Sequence, residues 1–537
     1  MFNFHPSQRE ARLWWLFKTI FVGVMCIAAI VGVRSVYDRA AGGFGFDFYQ
    51  FWLGGDVLRH HQANGRHGVL DLYTDSAHVK IGQQYVEIAR NKSRRQREAA
   101  ADRKVVDTAS SPFFYWVFSV VTSSDYDREY KRYILFSVAC MVATLAALAW
   151  RLKYSITGMA AAIALASISA PVYSDYNVVN FNFPELAICC FYLLLRALAR
   201  NARQFCTASY TREPSLSGNP STPGQALRRP GSVPHSKNPE RRKPRPVDST
   251  NLQGHILSTI LSIAAGVVMG LLAAFKPNLL LFPVLLGVSG IFARRWWAVF
   301  AEAGGFAIGV VSAVAVSSWA FGGISCWAAW GRVILDLGSR PTMPSLYGNF
   351  SITRDIYEAT GRNLISVFSA TGIILAMAAI WLGRRSTQAT RSSPALEVAA
   401  ASSAPLNLDI EFRHDLAIFG LAVGVTLLSS GLAWVHYPIL LFPFLLLAAS
   451  RGDTRRIGIP SEIVRYLLLS TAIVLLLFPP PEEIRKLLPF HLDVNIRTWI
   501  RCTQAAVLVT FGLALWFEST LVGKVAGRDA LHRNHAS

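Results

Sequence analysis

The stretch GFGFDFYQFWLGGDVLRHH, Gly43 to His61, sets one carboxylate, Asp47, among six aromatic rings directly after an apolar run. An aspartate is ionised near neutral pH and can take a proton from a hydroxyl held within reach. Lys276, in LLAAFKP, and His436, in AWVHYP, stand at the ends of other apolar runs. Ionisable groups at membrane level are costly to desolvate and usually have a partner or a function. Lys, Arg or His there can stabilise a phosphate leaving group by charge-assisted hydrogen bonds. One base with several cations suits transfer of a group from a lipid phosphate to an alcohol. It suits a proton-coupled transporter equally, and spacing alone does not separate the two.

Each residue also has a plainer use. Asp47 would favour the N-terminus of the helix that follows it. Lys276 would mark a helix end and snorkel, and His436 would pack at an interface. Glu185 and Glu302 fall within apolar runs without an obvious sequence partner, so they read as packing or helix-end residues. The basic run NKSRRQREAAADRK at 91–104 reads as solvated or facing lipid headgroups. The triplet Asn349–Ser351 fits a glycosylation sequon, too short a match to carry weight. No DxD-like motif lies near Asp47 and no nucleotide-binding loop is visible, so neither metal nor cofactor is expected.

The elements that must position these residues are membrane helices. The chain has 537 residues, 52% hydrophobic and 16% charged, with a mean hydropathy of +0.33. Its uncharged runs have the length of membrane spans. We expect an all-α polytopic membrane protein with about twelve spans, at 14–33, 133–150, 155–172, 178–196, 256–275, 277–293, 297–319, 364–383, 416–434, 437–450, 463–479 and 499–517. The net charge of +20 lies in the loops between spans, which points to membrane orientation and excludes nucleic acid as a partner. The seven cysteines show no metal or disulfide spacing.

With the N-terminus cytoplasmic, the basic loops, the SRGDTRR turn at 450–456 and the C-terminal tail fall inside. The chain then divides into an N-terminal membrane part, 1–197, with its first outer loop at 34–132, and a basic linker, 198–254. A central part follows, 255–385, with an outer loop at 320–363, then a second linker, 386–412, and a C-terminal part, 413–537. Residues 200–250 hold ten Lys or Arg and eight Pro, a composition that cannot bury a core. The patch SPFFYWVFSVVTS at 111–123 is too short to span, so it lies at the interface or re-enters. Asp47, Lys276 and His436 all fall on the outer side.

Five motifs occur in order: GFDFYQFWLGGDVL, SPFFYWVFSVVTSSDYDREYKRY, NVVNFNFPELAICCFYLLLRAL, AAGVVMGLLAAFKPNLLLFPVLLG and LLSSGLAWVHYPILLFPFLLL. Their succession resembles glycosyltransferase family 87, the polyprenol-phosphate-mannose-dependent alpha-mannosyltransferase-like membrane proteins. The chain departs from the family pattern at NVVN, which lacks a glutamine, at SPFFYW, which lacks a proline, and at Phe51 and Gly54. The resemblance implies a GT-C-type fold in the plasma (inner) membrane, with an extracytoplasmic active site. It implies inverting transfer of a hexosyl group, mannosyl as the family's best-known case, from a polyprenyl-phosphate sugar to a hydroxyl of a lipid or glycan acceptor. Asp47 would be the general base. Lys276 and His436 would contact the donor phosphate or position the sugar, Asn180 would match the end of the family's GQxN-like element, and Tyr49 and Trp434 would offer stacking surfaces. Arg332 joins them only by its place in the outer loop. The rival reading is a transporter or flippase of a lipid-linked or anionic substrate, which should show paired repeats; none is found.

Overall fold

The computed structural model describes residues 8–65, 68–106, 109–210, 249–339, 349–391, 404–450, 459–478 and 496–520. Among the described residues the regular structure is helical, with one isolated bridge between Asn349 and Trp434. Eight helices among the described residues are long and apolar enough to cross a membrane: Trp14–Gly42, Tyr126–Arg151, Asn182–Arg203, Leu252–Phe275, Trp296–Phe321, Ile365–Arg385, Ile410–Ser429 and Arg497–Ser519. The pair Ile156–Ser167 and Ala170–Val178, bent by 58° at its break, makes a ninth if it is counted as one span. The chain is thus an all-α polytopic membrane protein.

Three of the twelve expected spans are not among these. Runs 277–293 and 437–450 form the shorter helices Pro277–Phe292 and Tyr437–Ala449. Each opens with a 3-10 turn that carries a proline. At 1.5 Å per residue they reach about 24 and about 20 Å, less than a hydrocarbon core of ~30 Å. Run 463–479 falls on Ile459–Leu477, whose first turns hold the ion pair Arg465–Glu462 at 2.9 Å. Helices extend into both linkers, to Tyr210 and from Ser249 in the first, to Arg391 and from Ala404 in the second. The remainder of both linkers, residues 340–348 of the loop expected to be outer, most of the SRGDTRR turn and the tail after 520 lie outside the described residues.

The most buried of the spans is Ile410–Ser429; helices Asn182–Tyr210, Leu281–Phe292, Ile365–Arg391 and Ile496–Thr520 pack around it. Helix Ser249–Phe275 meets Trp296–Phe321 backbone to backbone. A Cβ at Gly266 would stand 2.1 Å from the Glu302 carbonyl oxygen, and one at Gly309 would stand 2.5 Å from that of Val267. Small residues spaced by four on both faces permit this approach, and it fixes the helix that ends at Lys276.

The segment between the first span and Tyr126–Arg151 is a bundle of short helices. Thr74, Ser93 and Ser111 accept from backbone N–H groups at three helix starts, which satisfies donors that have no partner within the helix. The Ser111 hydroxyl also donates to the Phe275 carbonyl at 3.1 Å, so the SPFFYW helix, Pro112–Val121, is tied to the residue before Lys276. Its Phe114 ring lies 4.3 Å from Phe275 and 5.7 Å from Phe181. Buried Asp56 pairs with Arg59 at 2.7 Å and accepts from the Tyr85 hydroxyl at 2.8 Å, while Arg59 donates to the Ser119 and Thr122 carbonyls. This network clamps helix Phe46–Ala63 against Pro112–Val121, and it takes in His60, whose Nδ1 lies 2.9 Å from the Asp56 carbonyl.

Candidate functional site

Asp47 lies in the first turn of helix Phe46–Ala63. The turn that starts the helix needs Gly45, whose φ of +68° is costly for other residues and whose added Cβ would fall 2.2 Å from the Tyr130 ring. The hydroxyl of Tyr130 donates to the Ala40 carbonyl at 2.6 Å, and that of Tyr126 donates to the Phe44 carbonyl. The loop between the first span and Asp47 is therefore held from two sides. The carboxylate is partly exposed, with 19% of its surface open, and it turns toward other segments instead of capping its own helix. Arg103 donates to Oδ1 at 3.1 Å and Asn180 Nδ2 donates to Oδ2 at 2.6 Å.

Asn180 sits in the break between helices Ala170–Val178 and Asn182–Tyr210, where Val179 adopts a φ of 57°. Its Oδ1 accepts from Phe181 N–H at 2.6 Å, which fixes the amide orientation. The Nδ2 group then faces both Asp47 and His436 Nε2, the latter at 3.2 Å. An amide nitrogen donates only, so Nε2 is the acceptor and the ring is neutral with its proton on Nδ1. Burial, aided by the charge of Lys276, pushes His436 down to about 3, which agrees with a neutral ring. Trp434 lies parallel to His436, ring centres 6.5 Å apart. Their loop is anchored by Asn349, whose Oδ1 accepts from Ala433 N–H at 2.9 Å, and by Phe350 N–H on the Ala433 carbonyl. Asn349 is fully buried, so the sequon serves this anchor in the folded chain.

Two residues beyond Asn180, Asn182 begins a second network. Its Nδ2 donates to Asp175 at 2.7 Å, and its Oδ1 accepts from Lys276 Nζ at 3.0 Å. Lys276 also pairs with buried Glu185 at 2.8 Å and lies 5.5 Å from the Tyr437 ring centre. Burial disfavours the ammonium, but Glu185 outweighs it and holds Lys276 above its ordinary range. An ammonium has three donors; two are engaged, and one is left for a ligand.

The structure therefore brings Asp47, Asn180, His436, Trp434 and Lys276 to one end of the bundle. The other two expected residues have different surroundings. Tyr49 is fully buried against Trp52 and Tyr126, its ring covered within the aromatic core, and burial pushes its phenol well up. Arg332 is exposed on helix Ser325–Ser339.

Sequence reasoning passed over Arg103, Asn182, Asp175 and the role of Glu185. Arg103 comes from the basic run expected to be solvated. That run instead forms helix Arg94–Asp102, with Gln96, Ala99 and Ala100 buried, and Arg103 also covers the Phe46 ring at 3.3 Å. Glu185 and Glu302, which lacked obvious partners, pair with Lys276 and Arg196. The alternation NFNFPE was the available signal: polar residues recurring between aromatics at the start of an apolar helix.

A helical membrane protein with a polar site built from four distant segments at one end of its bundle is the class these observations define. Within it, residues 252–406 match the family model of glycosyltransferase family 87, which shows the family resemblance read from the sequence and marks the chain as a membrane glycosyltransferase. The matched stretch contains Lys276; Asp47, Asn180 and His436 lie outside it. No curated protein and no solved structure matches the chain.

Proposed function

We propose that the chain is a GT-C-type, inverting hexosyltransferase of the plasma (inner) membrane. It transfers a mannosyl group from a polyprenyl-phosphate sugar to a hydroxyl of a lipid or glycan acceptor on the extracytoplasmic side, with both termini cytoplasmic and without metal or cofactor. The observation that carries the proposal is the shared amide of Asn180, which holds the Asp47 carboxylate and the neutral His436 ring together while Asn182 holds Lys276 beside them.

In this reading Asp47 takes the proton of the acceptor hydroxyl, and the oxygen attacks the anomeric carbon from the face opposite the phosphate. The bond from that carbon to the phosphate oxygen breaks, and its electron pair leaves with the polyprenyl phosphate. The open part of the Asp47 surface, 19% of it, gives the acceptor hydroxyl access to the carboxylate. Lys276 directs its remaining donor at the leaving phosphate. His436, being neutral, positions the sugar and does not supply charge, and Trp434 offers a half-exposed ring for the sugar face.

The test is transfer by purified protein in lipid, from radiolabelled polyprenyl-phosphate mannose to a membrane lipid extract, comparing wild type with Asp47→Asn at matched folding. Transfer by wild type and loss in the variant is the expected result. Equal transfer by both removes Asp47 as the base. Failure of wild type across a panel of lipid-linked sugars favours the transporter or flippase.

A further inference from the structure

A second polar cluster lies at the other end of the bundle, remote from Asp47. Helix Asn182–Tyr210 leads to it: Arg196 and Arg200 lie about 21 and about 27 Å beyond Asn182 at 1.5 Å per residue, close to the thickness of a hydrocarbon core. There a cavity of about 310 Å³ opens between six helices, at the lower bound of small-ligand pockets, ~300 Å³. Six arginines line it: Arg196, Arg200, Arg203, Arg294, Arg295 and Arg384.

Three carboxylates serve these six cations. Glu411 takes both forks of Arg295, at 2.6 and 3.0 Å, and Arg384 at 2.9 Å. Asp415 takes Arg200 at 2.6 Å, and Glu302 takes Arg196 at 3.2 Å. Arg203 and Arg294 stand exposed at the rim. Buried donors remain as well: Arg196 Nη1 and Arg200 Nε have no hydrogen-bond partner. A buried donor without a partner is costly, and excess arginine around a cavity is what bidentate recognition of phosphate requires. Trp296 and Trp297 also border the cavity, 48% and 81% exposed, as expected of indoles at headgroup level.

We propose that this cavity binds a phosphate group, at a site separate from Asp47 and Lys276. The flanking tryptophans favour the headgroup of an anionic membrane lipid as its source, and free phosphate is the alternative source of the same chemistry. Occupation would supply acceptors for Arg196 and Arg200 and tie together helices Asn182–Tyr210 and Ile365–Arg391 and the turn at 293–295 that carry the six arginines, so ligand raises thermal stability.

The test measures the melting temperature of the full-length protein in zwitterionic detergent with three additions: short-chain phosphatidylglycerol, short-chain phosphatidylcholine or inorganic phosphate. The proteins are wild type, Arg203→Gln/Arg294→Gln and Lys276→Met/Glu185→Leu. The rim arginines are exposed and their pairing does not hold the fold, so the first variant should fold as wild type. Its apparent affinity should fall ~10-fold, the factor that ~1.4 kcal/mol represents. A shift with phosphatidylglycerol alone, weakened in the rim variant and kept in the Lys276 variant, supports a lipid source. The same pattern with inorganic phosphate supports a free-phosphate source. No shift with either anion, an equal shift with phosphatidylcholine, an undiminished shift in the rim variant, or a shift lost only in the Lys276 variant overturns the site.

Discussion

Replacing Asn180 with alanine tests the candidate site at its narrowest point. The amide nitrogen donates to the Asp47 carboxylate at 2.6 Å and to His436 at 3.2 Å, and the amide oxygen accepts from Phe181 N–H. A hydrogen bond to a charged group contributes ~1.5–3 kcal/mol. If that interaction aims Asp47 at the acceptor, its loss corresponds to a ~10- to 150-fold fall in kcat, since each ~1.4 kcal/mol is tenfold. The orphaned Phe181 N–H destabilises the fold by ~1–3 kcal/mol, so melting temperature must be read alongside. The assay is the initial rate of labelled sugar transfer in lipid discs, across a range of donor concentrations and below the variant's melting temperature. The expected result is a reduced kcat, because Asn180 holds the base, together with at most a smaller rise in KM for the donor through its second contact, with His436. A kcat within twofold of wild type in folded protein would refute the positioning role. A rise in KM alone would assign Asn180 to donor binding.

His436 is neutral when folded, with its pKa pushed down to about 3, whereas an unfolded histidine titrates near 6.5. The unfolded chain binds the extra proton between these values, so this contribution to stability is intact above about pH 6.5 and falls as pH drops toward 3. At pH 4.5 it amounts to ~2–3 kcal/mol; thermal melts should show a smaller pH 7 to 4.5 loss in His436→Gln than in wild type, and equal losses would contradict the buried neutral ring. Lys276→Met leaves Glu185 buried without its partner and should destabilise by ~3–5 kcal/mol. Lys276→Met/Glu185→Leu should recover much of the melting temperature but no sugar transfer, and recovery of both would reduce Lys276 to a structural role. Val179→Gly removes a buried side chain but relieves a backbone conformation that costs a branched residue ~1–2 kcal/mol. Its melting temperature should therefore fall less than that of Val172→Gly, taken from a buried helical position, and equal falls would remove strain from the account.

The long apolar runs were legible because hydropathy is a sum over many residues, so single errors average out. Pro277 and Pro438 could not be weighed in the same way. Each sits at the start of an apolar run, where proline is tolerated, and only the packed structure shows that the 3-10 turns leave these helices too short to cross. For the site, Asp47, Lys276 and His436 were visible because a charge or imidazole beside an apolar run is unusual. Arg103 was not, since the run at 91–104 holds only three alanines among charged and polar residues, and a charge among charges carries no contrast. Its contact with Asp47 spans 56 residues, a separation on which composition is silent.

The break between Val178 and Asn182 explains why the same chain supports two networks. Continuous helix through 178–182 would turn Asn180 and Asn182 by about 200° relative to each other, sending one of the two amides away from the site. The left-handed residue at Val179 ends one helix, so Asn180 is held by its own Phe181 N–H bond while Asn182 opens the next helix. One amide can then face Asp47 and His436 while the other faces Asp175 and Lys276. A base from the segment after the first span and a cation from the end of a distant span are thus referred to positions two residues apart. In the proposed reaction that short rigid link sets the distance between the group that takes the proton and the group that receives the phosphate charge. A deletion or a helix-favouring substitution in the break would separate those functions without touching either residue.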